Sequence, residues 1–410
     1  MLPGVEIEFQ NGQLGTVLNR PDGTFGLLAS AVAVSTTFLL EKDYEVKSML
    51  DVAALGILPS VGNYRLYKFL EEFYNEVGSG TALWIMGFAN TKKVSDFFTP
   101  DVTTQKTPAE KLLDAANGAI SGLFVSFDPS VDYTPTIETG IDADVILALA
   151  KAQLLAESYT KIEYAPLFVY LEGYAFSGDK STLIDLTTKT FNRVGVMIGD
   201  SQKRTGTVPS KGAAIGILAG RLAAKSVQVN PGRVRDGAIR STTAFIVDVP
   251  VEKYDVASIH DKGFVTLRSH KRKSGYYFTD GPLACEADDD YHYIPQRRVI
   301  DKAFRLAYDV LVEFTLDDID VNPNGTIQAL SATVIEQAVI ARIFSEMTVE
   351  GELSYDPSDT KDKGVICKVD LTQNVTSTSI IKIKQLQVRS KAYARFIEVP
   401  LGFVPITSNN

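Results

Sequence analysis

The chain has 410 residues, a formal net charge of −9 and 45% hydrophobic residues. That length allows two or three domains of about 100–200 residues each, and the hydrophobic share excludes a disordered chain. The acidic balance excludes a broad nucleic-acid-binding face, which needs cations to neutralise phosphates.

Near the start, Val5, Glu6, Ile7, Glu8 and Phe9 alternate apolar and acidic side chains, the period of a half-buried strand. They belong to an N-terminal arm over residues 1–20, interrupted at Asn11-Gly12. No basic stretch followed by an apolar one opens the chain, so no secretory leader is expected. The most apolar stretch, residues 26–40, carries Ser30, Ser35, Thr36 and Thr37 and is shorter than the roughly 20 residues of a membrane span. Strands are expected over 25–34 and 37–41. A helix begins at Ser48, with Asp51 three residues on. A stronger helix covers 63–77, with Tyr67, Leu70, Tyr74 and Val77 on one face and Gly78 as its stop. A buried strand follows at 82–86.

The same order then repeats. Thr107-Pro108-Ala109-Glu110 is a capping box with Pro at the first helical position. Asn117-Gly118 ends that helix before a strand at 123–125. Helices at 143–158 and 180–192 alternate with strands at 166–171 and 194–198. Gly212, Gly216 and Gly220 lie four apart on a helix expected over 212–224, a spacing that lets a neighbouring element approach closely. The alternation predicts an α/β domain over 21–245 with a largely parallel sheet.

Beyond about residue 240 the pattern becomes α+β, over 246–390. Strands are expected at 242–248 and 263–268, and Tyr276-Tyr277-Phe278 precedes the turn Asp280-Gly281-Pro282. A helix at 294–311, a strand at 310–316, a helix at 326–346 and strands at 364–370 and 380–388 follow. An extended C-terminal arm takes up 391–410. In the last strand Ile381, Lys382, Ile383 and Lys384 alternate apolar and basic side chains, and Arg389 lies just beyond. This is the charge complement of Glu6 and Glu8, and opposite charges across a strand pair contribute about 0.2–1 kcal/mol per pair. A strand at each end predicts either one internal sheet or links to neighbouring copies.

Several motif-like stretches read as ordinary structure. Residues 173–181 approximate a phosphate-binding loop, but Asp179 stands between the second glycine and Lys180, where it would repel phosphate. A capped turn from strand to helix is the better reading. Asp320, Asn322 and Asn324 match the first half of a calcium loop, but Ser331 stands where a bidentate Glu belongs. Cys285, Glu286, Asp288, Asp289, Asp290 and His292 mix soft and hard ligands too close in sequence to converge on one ion. Cys285 and Cys367 are expected as buried thiols. His260, His270 and His292 have no partner at motif spacing, so no catalytic residue, metal or cofactor is assigned.

Leu2-Pro3-Gly4-Val5 forms a short arm ahead of a strand. Residues 75–88 run from a helix through Gly78-Ser79-Gly80 into an apolar strand. The small-residue helix at 212–224 leads to Val227-Gln228-Val229-Asn230-Pro231-Gly232. Tyr276-Tyr277-Phe278, the paired arginines of Tyr293-Ile294-Pro295-Gln296-Arg297-Arg298, Glu313-Phe314 and Asn322-Pro323-Asn324 come next, and residues 382–403 form a strand, a basic turn and a tail. In this order the chain resembles the contractile tail sheath proteins of phages and of related contractile injection systems. It departs from them in lacking a Trp in the third segment, since its one Trp is Trp84, and in lacking a Pro at 390–392.

The resemblance implies a non-enzymatic structural subunit that stacks as rings or helical strands around an inner tube and contracts to drive it through a target envelope. It implies as partners further copies of the chain, the inner tail tube protein, and baseplate and tail terminator proteins. It implies no cofactor, no nucleic acid and no membrane insertion. Assembly would take place in the bacterial cytoplasm, giving a virion tail or an injection particle. It also implies that terminal arms add strands to sheets of neighbouring subunits. Val5, Glu6, Ile7, Glu8 and Phe9 are then the arm, and Lys382, Lys384 and Arg389 the receiving strand. Arg268, Lys271, Arg272 and Lys273 are candidate lateral contacts. Two other readings stand beside this one: a different self-assembling phage structural protein, and a nucleotide-binding α/β enzyme acting through Lys180.

Overall fold

The computed structural model describes residues 21–403. Strands β1 (Phe25–Ser30), β2 (Asp43–Val46), β3 (Leu83–Phe88), β4 (Gly122–Ser126), β5 (Phe168–Glu172) and β6 (Val194–Met197) form one sheet in the order β2-β3-β1-β4-β5-β6. All neighbours are parallel except β2, which runs antiparallel to β3 at the edge. Every residue of β1, β4, β5 and β6 is buried. A strand covered on both faces needs a continuous apolar run rather than alternation, which is why these segments read as they do.

The helices between the strands are α1 (Met49–Ala54), α2 (Tyr64–Val77), α3 (Pro108–Ala115), α4 (Ala143–Ile162) and α5 (Ile215–Ala223). Their ends follow local chemistry. The Ser48 side chain accepts the Asp51 N–H at the start of α1. The Glu110 N–H donates to Thr107 Oγ1 at 3.0 Å, and the Thr107 N–H donates to Glu110 Oε2 at 2.6 Å. Gly78 ends α2 at φ +83°.

Helices α2 and α5 pack on each other and on β1 and β4 or β5. The glycine spacing does what was expected of it. A Cβ on Gly216 would sit 2.5 Å from the Phe69 carbonyl oxygen, and one on Gly220 2.6 Å from that of Phe73. Gly216→Val is expected to destabilise the fold by about 1–3 kcal/mol, because the backbone of α2 must move away. Urea unfolding of the variant against the parent checks this, and an unchanged midpoint would show that the helices part freely.

Some expected elements are absent or moved. Residues 37–41 turn back through a Val34–Phe38 bridge, and the edge strand is β2 at Asp43–Val46 instead. No helix forms over 180–192. Asp179 accepts from the Ser181 N–H and hydroxyl, and Asp185 from those of Thr187. Such side-chain turns compete with helical hydrogen bonding, and a short 3-10 turn at Leu186–Thr188 is all that remains. The strand at 242–248 shrinks to Phe245–Ile246, paired with Val249–Pro250.

Farther along come α6 (Val256–His260), β7 (Leu267–Ser269) and β8 (Tyr276–Phe278), the two strands forming an antiparallel hairpin. Helix α7 (Ile294–Leu311) runs on into a 3-10 turn at Val312–Phe314, so the strand expected at 310–316 does not exist. Helix α8 (Ala329–Ile343) continues into a π turn at Phe344–Thr348. Strands β9 (Val365–Val369) and β10 (Ile383–Val388) then pair antiparallel.

One hydrophobic core extends from Phe25 to Ile294. A second gathers Val227 with Val299, Ala303, Val339, Ile343, Leu353 and Cys367, among others, and a small third one holds Ile327, Ala332, Ile335 and Val369. Helix α7 joins them, with Ile294 in the first core and Val299 in the second. Among the described residues, no helix is long and apolar enough to cross a membrane.

Candidate subunit interface

The ribbon β9/β10 packs one face on α8. Val365, Cys367 and Val369 are buried, whereas Ile366 and Lys368 between them are exposed. Burial pushes the Cys367 thiol up to about 11, which keeps it protonated at neutral pH. The register runs Val365↔Val388, Cys367↔Leu386 and Lys368↔Gln385, then jumps to Val369↔Ile383. Lys384 is therefore the extra residue of a β-bulge. Glu336 of α8 spans this irregularity: its carboxylate accepts the Val369 N–H and the Lys368 ammonium, both at 2.9 Å.

Among the described residues no third strand joins this ribbon. A two-stranded ribbon leaves main-chain donors and acceptors along its edges, which makes it a template for an added strand.

The expected receiving cations lie here with unequal roles. Lys382 and Lys384 are exposed. Arg389 is also exposed, but its Nη1 donates to Asp362 Oδ2 at 2.5 Å. The Gly364 N–H and the Arg389 guanidinium together hold the Asp362 carboxyl down to about 2. Arg389 thus has a partner in its own chain. Its proposed acidic partners, Glu6 and Glu8, lie with Val5, Ile7 and Phe9 outside the described residues.

The start of the C-terminal arm is anchored to its own chain. Arg395 lies 3.2 Å from the centre of the Tyr293 ring and donates to Asp280 Oδ2 at 3.0 Å. The Tyr393 hydroxyl donates to the Gln228 carbonyl, and burial pushes that hydroxyl up to about 12. Past this clamp Phe396, Ile397, Val399, Leu401 and Phe403 are all exposed, Phe403 completely. Four of them, from Ile397 to Phe403, alternate with Glu398, Pro400 and Gly402, which gives one apolar edge at the period of a strand. That period was present in the sequence, and residues 391–403 form no strand of their own here.

Arg268, Lys271, Arg272 and Lys273 belong to the β7/β8 hairpin and are exposed. The hairpin that carries them sets Leu267 and Phe278 in the first core.

The motif-like stretches also have definite places. Lys180 pairs with Asp255, and Asp179 folds back on Ser181, so the loop's polar groups are used locally. His292 Nδ1 lies 2.8 Å from the Cys285 carbonyl oxygen in a buried pocket, and burial lowers the His292 pKa. Among the described residues, no three His, Cys, Asp or Glu side chains are grouped to hold a metal ion.

No curated protein sequence matches the chain. Solved structures do. A chain of the contracted helical sheath of the anti-feeding prophage superimposes with a TM-score of 0.60 at 17% identity, covering 98% of this chain and 99% of that one. A chain of the anti-feeding prophage baseplate also gives 0.60 at 16% identity, over 98% and 99%. A chain of the contracted PVC sheath complex, an extracellular contractile injection system, gives 0.58 at 12% identity, over 98% and 97%. Residues 2–282 match the family described as DUF2586, N-terminal domain. The chain therefore belongs to the DUF2586 family, and it carries the fold of contractile sheath proteins along nearly its whole length.

Proposed function

We propose that the chain is the repeating, non-enzymatic subunit of a contractile sheath, assembled around an inner tube that it drives through a target envelope. The observation that carries this reading is the two-stranded β9/β10 ribbon, followed by an exposed, alternating apolar tail, in a chain whose fold matches a contracted sheath over 98% of its length. Strand addition between copies supplies main-chain hydrogen bonds, while side chains select partner and register. Contacts of this head-to-tail kind build rings where the rotation closes and open helical assemblies where it does not.

In this reading residues 21–245 and 246–390 are the two sheath domains, and the segments on either side are the linking arms. Val5, Glu6, Ile7, Glu8 and Phe9 dock on a neighbour's ribbon near Lys382 and Lys384. Arg268, Lys271, Arg272 and Lys273 serve lateral contacts. Contraction is a rigid-body change of packing between subunits whose arms stay linked, driven by the better-packed state. Tube, baseplate and terminator proteins are the further partners, and assembly takes place in the bacterial cytoplasm.

Electron microscopy of the purified full chain tests the reading. Hollow, ridged cylinders are the expected result; discrete small particles at every concentration and salt would overturn it. The paired variant Lys382→Glu/Lys384→Glu is expected to keep its unfolding midpoint, since exposed substitutions usually act within about 0.5 kcal/mol. It should assemble at least several-fold more slowly, with the deficit shrinking at high salt as charges are screened. Light scattering against time checks this, and equal assembly rates at low salt would remove these lysines from the interface.

A further inference from the structure

We propose that the basic β7/β8 hairpin of one subunit docks on the acidic surface around residues 286–290 of the next copy; this rests on the sheath reading above and adds what the hairpin meets. Arg268, Lys271, Arg272 and Lys273 are exposed, and none forms an ion pair among the described residues. Arg240 joins them across a cleft of about 530 Å³. The carboxylate lining that cleft is Glu252, which already accepts the Tyr276 hydroxyl. Glu76, which accepts the Arg240 N–H, has Arg221 at 3.8 Å. Burial, with Arg268 and Lys273 nearby, lowers the His270 pKa, so the imidazole is neutral at pH 7. Five cations thus stand against Glu252, in a chain of net charge −9.

The acidic surface is the counterpart. Glu286, Asp288 and Asp290 are exposed in the loop after Cys285, with Glu157 of α4 exposed beside them. Asn192 ties the loop to α4, donating to Asp289 at 3.1 Å and accepting from Gln153 at 3.4 Å. Arg297, stacked on the Tyr291 ring, is taken by Asp301 at 2.6 Å. Lys189, next to the strand that pairs with Cys285, forms no ion pair with the loop.

The two surfaces flank opposite faces of the main sheet. A Cβ on Gly26 would meet Leu123 and Leu112 of α3, whereas the Phe124 ring lies 6.3 Å from that of Phe69 of α2; consecutive strand residues point to opposite faces. Arg240, Ser241 and Thr242 line both the hairpin cleft and the groove beside α2. Helix α4 belongs to the other face, where Tyr159 donates to Asp114 of α3. A contact between opposite faces repeats head to tail from copy to copy, and complementary charge sets its register and speeds encounter.

The test uses the full chain, half of it labelled with heavy nitrogen, treated with a carbodiimide that condenses an amine with a carboxylate in contact. Mass spectrometry should find Lys271 or Lys273 joined to Glu286, Asp288 or Asp290 between a labelled and an unlabelled chain. Lys271→Glu/Lys273→Glu and Asp288→Lys/Asp290→Lys should each assemble about tenfold more slowly at low salt. An equal mixture of the two should recover most of the parent's rate, because each altered surface then meets its complement. Parent cylinders without these cross-links, or a mixture no faster than its components, overturn the docking and leave the sheath reading standing. Parent particles that stay small overturn the sheath reading instead, and the cross-links then decide the docking by themselves.

Discussion

Deleting residues 1–12 is expected to leave a folded chain that no longer polymerises. Among the described residues, both large cores are built from positions beyond 24. The shortened chain's thermal midpoint should stay within a few degrees of the parent. Assembly is a different matter. Each main-chain hydrogen bond contributes only about 0.5–1.5 kcal/mol net, but in the proposed assembly one arm strand would make several, and each subunit would use its arms at once. Linked contacts multiply through effective concentration, and an arm that cannot reach its site loses the whole gain. Polymerisation should therefore fail outright rather than weaken. Sedimentation velocity and electron microscopy provide the measurement, with circular dichroism as the control for folding. Cylinders formed by the shortened chain would rule out the N-terminal arm as the link.

Replacing Arg65 with Ala is expected to cost about 3–5 kcal/mol, because removing one partner strands buried opposite charges. Arg65 stands in the first turn of α2 and is 3% exposed. Its guanidinium reaches Glu172 at the end of β5 at 2.6 Å, Asp200 beyond β6 at 2.8 Å and the Ala213 carbonyl at 2.6 Å. Lys68 adds a second contact to Asp200 at 2.8 Å. Burial by itself would lower the Arg65 pKa, but the neighbouring carboxylates outweigh it and hold the group above its ordinary value.

The same burial raises the Glu172 carboxyl even with Arg65 present. Without Arg65 it should rise further. A carboxyl whose folded pKa exceeds its unfolded one binds protons more tightly when folded, so stability is lost as pH rises through that window. The variant should accordingly lie closer to the parent at pH 5 than at pH 7.5. Urea unfolding at both pH values reads the cost and its direction. A loss under about 1 kcal/mol, or a deficit that grows toward acid pH, contradicts this account of the network.

The legible part of the fold was the part written in local chemistry. The Thr107–Glu110 capping box, the Gly78 stop and the apolar run of β1 each need only neighbouring residues, so their signals survive in one dimension. The spacing of Gly216 and Gly220 likewise announced a close approach, though not that α2 would be the neighbour. The helix expected at 180–192 fails for a local reason, since Asp179 and Asp185 favour turns over helix by a mechanism visible in sequence. The missed strand β2 was not local in this way: a short polar edge strand exists because β3 offers it a partner.

The candidate interface divides along the same line. The sequence by itself determined that a strand lies within residues 380–388, because period-two alternation is a property of consecutive residues. It placed basic side chains at Lys382, Lys384 and Arg389. Only the tertiary structure decided what each one meets. Arg389 turns to Asp362, 27 positions away. Lys384 falls at a bulge, because the spacing of β9 over α8 puts Glu336 under the Val369 N–H. Arg395 clamps the arm to Asp280, 115 positions away. Charge pairing and main-chain satisfaction depend on distance in space, and in a folded chain that distance is unrelated to separation along it.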